Sequence, residues 1–455
     1  MQKRRELLRA AGIAALTAAM AWAMPAVTTA QDAAAEPAAV LGPIQGDIRF
    51  SWWGGQLRND KTDRILQLFE SEHPDVSVAR ESSDWVPHWE KLTIQVAGNN
   101  QPCTIQMQTR WLATYAKPEI LRPLDDLVEM GALDVTGIPE PVLNASRGAD
   151  GNLYMIPSGV FYFALMVNEQ IAEMAQTEGG VEPLEYPYSW QEFADYLRAV
   201  KPYMPEGTVP TRNMGSLQDA FVVWVQTHGE KVFDGTQVGF SQETATEWFE
   251  FWNQLREEGL TESAEAMVAE IGAMTEESGL PNGRQMIGVA PPNQLGSVQK
   301  IADTVKPGSK IDIMLYPTGE DGTVGIDLGA NGIAIGANCP EELLPASAAW
   351  INFFTQDPRA AQIYQSDNGV VAIDALAEAQ ATNPETQPTQ VRMIEIYREV
   401  APTAQPVFWP AGGYQAVTDT LGRANEAVAF GQLSPEEGAQ QLISDLQQQV
   451  DNASR

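Results

Sequence analysis

Ile48-Arg49-Phe50-Ser51-Trp52-Trp53-Gly54-Gly55 alternates apolar and polar side chains, then ends in two tryptophans and two glycines. Alternation with a period of two is the pattern of a strand. Indoles at a strand end present flat apolar faces with a hydrogen-bonding edge. The glycines let the backbone turn tightly and let another surface approach closely. Together they read as a strand that opens onto a binding cleft. If the strand continues through both tryptophans, they point to opposite sides. One then serves the interior and the other, taken as Trp53, serves a ligand.

Downstream, strand and helix patterns alternate. Ile65, Leu68 and Phe69 fall at helical spacing, and His73-Pro74 ends that segment. Val76 to Val78 is a short strand. Trp85, Trp89, Leu92 and Val96 share a helix face that stops at Gly98, and Thr104 to Met107 is a third strand. This order argues an α/β fold with a parallel sheet and crossover helices. Ligands of such sheets sit beyond the carboxyl ends of the strands, so Trp52, Trp53 and Gln108–Trp111 should share one rim. Ser189-Trp190-Gln191-Glu192 is a capping box. The stripe Trp248, Phe251, Trp252 and Leu255 reads as core. Ser434 to Glu437 opens a last helix with Leu442, Ile443, Leu446 and Val450 on one face.

Upstream, Lys3-Arg4-Arg5, the apolar run Ile13 to Val27 and the small residues Thr28 and Ala30 read as a signal peptide over residues 1–30, cleaved near Ala30. Arg4-Arg5-Glu6-Leu7-Leu8 looks like a twin-arginine export signal. No cysteine lies near the cleavage site, so no lipid anchor is expected. Residues 31–45, rich in Ala, Pro and Gly, read as a flexible leader.

The 455-residue chain carries 28 Lys+Arg against 60 Asp+Glu. Without Lys3, Arg4, Arg5, Arg9 and Glu6, 24 basic residues face 59 acidic ones, a formal charge of −35. Such a surface repels nucleic acid and anionic membrane. His73, His88 and His228 share no ligand spacing, and neither cysteine sits in a metal motif. There is no nucleophile elbow, phosphate loop or dinucleotide fingerprint. No catalytic residue, metal site or cofactor is therefore expected.

The chain resembles the extracellular solute-binding proteins of ABC transporters, in the carbohydrate-uptake group that includes maltose-binding protein. The resemblance rests on Phe50 to Gly55, Phe69-Glu70-Ser71-Glu72-His73-Pro74-Asp75-Val76, Trp89-Glu90-Lys91-Leu92 and Leu121-Arg122-Pro123-Leu124-Asp125-Asp126. It continues in Gly151-Asn152-Leu153-Tyr154-Met155-Ile156-Pro157, Leu165-Met166-Val167-Asn168, Asn331-Gly332-Ile333-Ala334-Ile335 and Ala346-Ser347-Ala348-Ala349-Trp350. Pro102-Cys103-Thr104 departs from the family's usual Pro-Asp-Val. The resemblance implies a type II periplasmic binding protein fold, with two lobes of mainly parallel sheet flanked by helices. Lobe 1 would take residues 46–157 and 316–372, and lobe 2 residues 158–315 and 373–455. Hinges would lie near Pro157, Tyr316-Pro317 and Gly369–Ala372.

Such a trap must shift its open–closed balance by about 5.5 kcal/mol to go from mostly open to mostly closed, so the ligand must touch both lobes. Sugars offer CH faces to aromatic rings and hydroxyl edges to Asp, Asn, Gln and Arg. The candidates on lobe 1 are Trp53, Arg58, Trp85, Gln108, Arg110 and Asn331. On lobe 2 they are Phe161, Tyr162, Asn293, Trp409 and Tyr414. Asn293 stands where many relatives carry a stacking aromatic. In this fold the strands next to Cys103 and Cys339 would run antiparallel in one lobe, so a Cys103–Cys339 disulfide is expected unless the Cα atoms lie beyond about 7 Å.

The expected function is the periplasmic component of an ABC importer, a monomer that binds a sugar or oligosaccharide and delivers it to the permease transmembrane subunits. A non-sugar solute (polyol, glycerophosphodiester or polyamine) and an exported glycosidase with a carboxylate pair are the alternatives.

Overall fold

A computed structural model describes residues 36–453, apart from 272 and 274–276. The expected signal peptide lies outside the described residues. The opening alternation forms β1 (Gly46–Trp53), followed by β2 (Val76–Ser83), β3 (Thr104–Gln108), β4 (Ile156–Tyr162), β5 (Leu165–Asn168) and β6 (Val209–Thr211). The short ribbon β7 (Phe233–Asp234) and β8 (Gln237–Val238) precedes β9 (Gln285–Val289), β10 (Ile311–Met314), β11 (Leu328–Ile335) and β12 (Val370–Val371). Six strands make one sheet, ordered β12-β4-β11-β3-β1-β2, and four make a second, ordered β10-β5-β9-β6.

Within the large sheet β1 pairs parallel with β2 and with β3. On the other side β11 runs antiparallel to β3 and β4, and β12 antiparallel to β4. The sheet is thus mixed where a mainly parallel one was expected. The physical reason is that β11 enters from the other lobe and so runs against β3.

The two faces of β1 divide its aromatics. Phe50 and Trp52 point to one side, stacked with centroids 5.2 Å apart, and Phe50 meets Trp350 edge-on. Trp350 lies on helix Leu344–Gln356, where Leu344 to Thr355 are all buried; its small residues Ala346, Ser347, Ala348 and Ala349 allow close packing beneath the sheet. Trp52 is buried and its indole N–H donates to Asn59 Oδ1 at 2.9 Å. Trp53 faces the opposite side.

The second core gathers Trp248 and Trp252 of helix Gln242–Glu257 with helices Gly413–Ala429 and Pro435–Ala453. The capping box at Ser189 and Glu192 forms in full. The last helix buries Leu442, Leu446 and Val450.

The chain passes from the large sheet to the second between β4 and β5 and returns between β10 and β11, a stretch that includes Tyr316-Pro317. Pro157 lies inside β4, which stays in the large sheet to Tyr162; the chain leaves it at Phe163-Ala164. The second crossing spans 315–327. Helices Asp374–Thr382 and Pro388–Val400 place Ala377, Met393, Ile394 and Val400 in the first core, which also takes in Leu295, Val298, Ile311 and Ile313 from the second sheet and the helix beside it. Beyond Val400 the chain runs beside the 315–327 segment: Gln405 N–H donates to the Ile326 carbonyl at 2.7 Å, and Val407 N–H to Asp327 Oδ1 at 2.9 Å. The expected leader is also corrected over its described part. Pro37–Leu41 is a 3₁₀ turn whose Ala38 is fully buried in the first core.

The register of β3 and β11 sets Thr104 opposite Ile335, which brings Cys103 beside the turn after β11. Gly336 N–H donates to the Cys103 carbonyl at 3.0 Å. Cys103 and Cys339 are disulfide-bonded, with Cα atoms 4.7 Å apart.

Candidate functional site

The carboxyl ends of β1, β3 and β4 converge on one edge of the large sheet, together with the amino end of β11. Three polar knots form there. The first is around Asp367. Arg58 donates through Nε to its carboxylate at 2.9 Å and through Nη2 to its carbonyl at 2.7 Å. Asn293, which follows β9 of the second sheet, donates to the same carbonyl at 2.8 Å. Arg58 also reaches the Trp53 carbonyl at 3.3 Å. Glycine at 54 is what allows this: a Cβ there would lie 2.4 Å from Arg58 Cδ.

The second knot is buried between strands. Gln108 and Asn331 are register partners. Gln108 Nε2 donates to Asn331 Oδ1 at 2.9 Å, and Asn331 Nδ2 donates to the Asn368 carbonyl at 2.8 Å.

The third knot is centred on Arg110, in the short helix Thr109–Tyr115 that begins where β3 ends. Its guanidinium donates to Tyr414 OH at 3.1 Å and to Asp219 Oδ1 at 3.3 Å, both on helices of the second core. It lies over the rings of Phe163, Tyr414 and Phe161, at 4.0, 4.9 and 5.0 Å. Such stacking stabilises a desolvated cation. Phe161 can stand here because its β11 partner is Gly329, where a Cβ would fall 2.0 Å from the ring. Burial opposes the Arg110 charge, but Asp219, Tyr414 and Asp327 outweigh it and raise the pKa. Burial pushes the Asp327 carboxyl up to about 6 against the pull of Arg110. Burial likewise raises Asp219, with Arg110 opposing.

An aromatic layer leads away from Arg110. Trp111 stacks on Trp89 at 4.6 Å and meets Tyr414 edge-on at 6.0 Å. Trp89 contacts Trp53 and Trp85. Trp53 is only 5 % exposed and is covered edge-on by the half-buried Trp85 at 5.0 Å. The outer ring is therefore Trp85, with Trp53 one layer behind it.

Two candidates lie elsewhere. Tyr162 is buried in the first core, where its hydroxyl donates to the Met393 carbonyl at 3.1 Å; strand alternation turns it away from the side on which Phe161 meets Arg110. Trp409 is buried in the second core between Phe233 and Tyr414, so it backs Tyr414. Arg58, Gln108, Arg110, Phe161, Asn293, Asn331 and Tyr414 are brought together through the three knots.

Sequence reading put Trp111 on the rim without choosing it as a contact, and did not single out Phe163, Asp219, Tyr316, Asp327 or Asn368 as site residues. Five atoms of this neighbourhood are buried without a partner: Gln108 Oε1, Arg110 Nε, Trp111 Nε1, Tyr316 OH and Asn368 Nδ2. Buried polar groups are normally paired, and these five lie at one rim. Cavities of about 640, 420 and 750 Å³ open elsewhere, around Tyr186, Trp190 and Pro139, and none of the three polar knots lines them.

The same arrangement of two lobes recurs in solved proteins. A periplasmic solute binding protein from Pectobacterium atrosepticum superposes with a TM-score of 0.77 at 18 % identity, covering 90 % of this chain and 100 % of the other. A periplasmic oligogalacturonide binding protein from Yersinia enterocolitica, solved with saturated digalacturonic acid, gives 0.74 at 20 % over the same shares. The GacH receptor of Streptomyces glaucescens, solved unliganded and with acarbose, gives 0.72 at 18 %, covering 90 % of this chain and 99 % of that one. The family described as bacterial extracellular solute-binding protein matches residues 65–431. The chain belongs to that family. In this solute-binding protein the rim between the lobes therefore holds polar groups from both, which is what a closing trap requires. Among the described residues no group of His, Cys, Asp and Glu is placed to hold a metal ion, and no helix is long and apolar enough to cross a membrane.

Proposed function

We propose that this solute-binding protein captures a sugar or oligosaccharide between its lobes and delivers it to the transmembrane subunits of an ABC importer. The observation that carries this reading is the set of unpaired donors and acceptors beside Trp111, Phe161 and Tyr414. A sugar hydroxyl both donates and accepts, and its CH face stacks on a ring. The same mixture suits neither a simple cation nor a hydrocarbon. The structural relatives solved with digalacturonic acid and with acarbose support a carbohydrate. Export by a twin-arginine leader into the periplasm, action as a monomer and the absence of turnover belong to this reading. So do lobe limits near residues 163–164 and within 315–327.

Asp219, Tyr414 and Asn293 already meet Arg110, Trp111 and Asp367, and opening of the trap to admit or release the solute would separate them. The test is a thermal-shift panel of mono- and oligosaccharides paired with small-angle scattering. A ligand at a hundred times its Kd should stabilise the folded state by about 2.7 kcal/mol and reduce the radius of gyration. A panel in which no saccharide moves either quantity overturns the proposal.

A further inference from the structure

The basic groups Arg58, Lys61, Arg110 and Arg212 at the rim each already lie in the field of a carboxylate of the chain itself. Arg58 is bonded to Asp367 at 2.9 Å, and Lys61, bonded to the Tyr364 carbonyl, lies within the field of the same carboxylate. Arg110 is bonded to Asp219 at 3.3 Å and lies within the field of Asp327. Arg212 follows β6 of the second sheet and faces Glu270 and Glu262. Tyr316 ties these groups together, since Asp219, Arg212 and Arg110 all act on its hydroxyl. Among these described groups four basic side chains meet five acidic ones, and Glu270 is shared with Arg284 at 3.9 Å, so the rim carries no excess of positive charge for an anionic ligand.

We infer that the solute is an electrically neutral saccharide and that Asp219 is the residue that excludes acidic ones. The inference rests on the saccharide reading and deepens it. A uronate carboxylate could reach Arg110 only at the unpaired Nε or by displacing Asp219 from Nη2. Either would leave Asp219 and Asp327 beside the incoming charge with one guanidinium among three carboxylates. An uncompensated charge in a desolvated site is costly, whereas neutral hydroxyls bond to Arg110 Nε and Trp111 Nε1 without disturbing the pair. Like-charge juxtaposition is an ordinary means of rejecting a wrong ligand. The formal charge of −35 after removal of residues 1–30 acts in the same direction at long range.

The experiment measures Kd by calorimetry at pH 7.5 for digalacturonate and for neutral saccharides of two to four units, on wild type, Asp219→Asn and Asp219→Glu. Wild type and Asp219→Glu should favour a neutral saccharide over digalacturonate by at least a hundredfold. Asp219→Asn should shift that ratio at least tenfold toward digalacturonate. Using the ratio cancels any loss of the bond between lobes, and Asp219→Ser replaces Asp219→Asn if that variant does not fold. Wild-type protein that binds digalacturonate as tightly as any neutral saccharide overturns the inference and leaves the saccharide reading standing. An unchanged ratio in Asp219→Asn removes the role of Asp219. Failure of every saccharide, neutral or acidic, removes the saccharide reading and the inference with it.

Discussion

Two tryptophan clusters of similar size sit in different cores of this molecule and do different work. Trp190, Trp224, Trp248 and Trp252 meet mostly edge-to-face inside the second core. Three of their indole N–H groups are paired, Trp190 with Thr227 Oγ1, Trp224 with the Thr244 carbonyl and Trp248 with the Gly215 carbonyl. Trp53, Trp85, Trp89 and Trp111 line the end of β1 and β3, and there Trp89 and Trp111 keep unpaired N–H groups. An unpaired indole is not by itself a mark of the site, because Trp252 and Trp350 have one in the cores. What distinguishes the first cluster is position at strand ends and the company of other unpaired polar atoms. Aromatic content alone does not separate a core from a cleft.

The largest expected effect lies in the second cluster. Trp248→Ala should destabilise the fold by about 3–5 kcal/mol, seen as a lower urea midpoint, while the solute Kd of the folded fraction stays within twofold. A larger loss of binding than of stability would break the contrast.

Ionisable groups offer the next test. His88 lies against Trp53 and Trp89 in the first cluster, and burial lowers its pKa to about 4. Its unfolded value is about 6.5, so its contribution to stability is full above about pH 6.5 and is lost as pH falls through 4. Asp327 behaves oppositely. Its folded value of about 6 lies above an unfolded value near 3.9. Its contribution is therefore present at low pH and lost as pH rises through 6. Each change is on the order of 3 kcal/mol in total, and in wild type they offset each other. Asp327→Asn should expose the rising His88 slope, and His88→Gln the falling Asp327 slope, in urea titrations from pH 4 to 7.5. Parallel curves for the two variants would refute the assignment.

Trp111→Ala should weaken solute binding tenfold or more, about 1.4 kcal/mol, with a far smaller change in urea midpoint than Trp248→Ala. If the midpoint falls as far, Trp111 is core and the clusters are alike. The smallest effect is expected from Gly329→Ala, where the new methyl displaces the Phe161 ring. A stability loss of about 1 kcal/mol and severalfold weaker binding should follow, and unchanged binding would mean that Phe161 does not support Arg110.

Much of this was legible in the chain. The alternation of Ile48 to Ser51 and the aromatics after it placed β1 and its exit on the rim. The helix signals at Ser189 and Ser434 carry their caps in full. Arg110, Gln108 and Asn331 were readable because they stand at or near strand ends, a position that has meaning in any open sheet. Asp219 and Asp327 carried no such mark. One opens an ordinary helix and the other precedes a strand, and each gains a role only because Arg110, more than a hundred residues away, is folded against it. Tyr162 and Trp409 show the converse, since their neighbours along the chain resemble those of a ligand contact while their surroundings in space are core.

The sequence by itself determined which segments are strands and helices, which face of each is apolar and where the backbone must turn. These depend on side chains only a few residues apart. The tertiary structure alone decided which arginine meets which aspartate, which tryptophan is covered and which polar atoms are left without a partner. Those properties depend on charge pairing and packing between groups brought together by the crossings, and no local pattern encodes them.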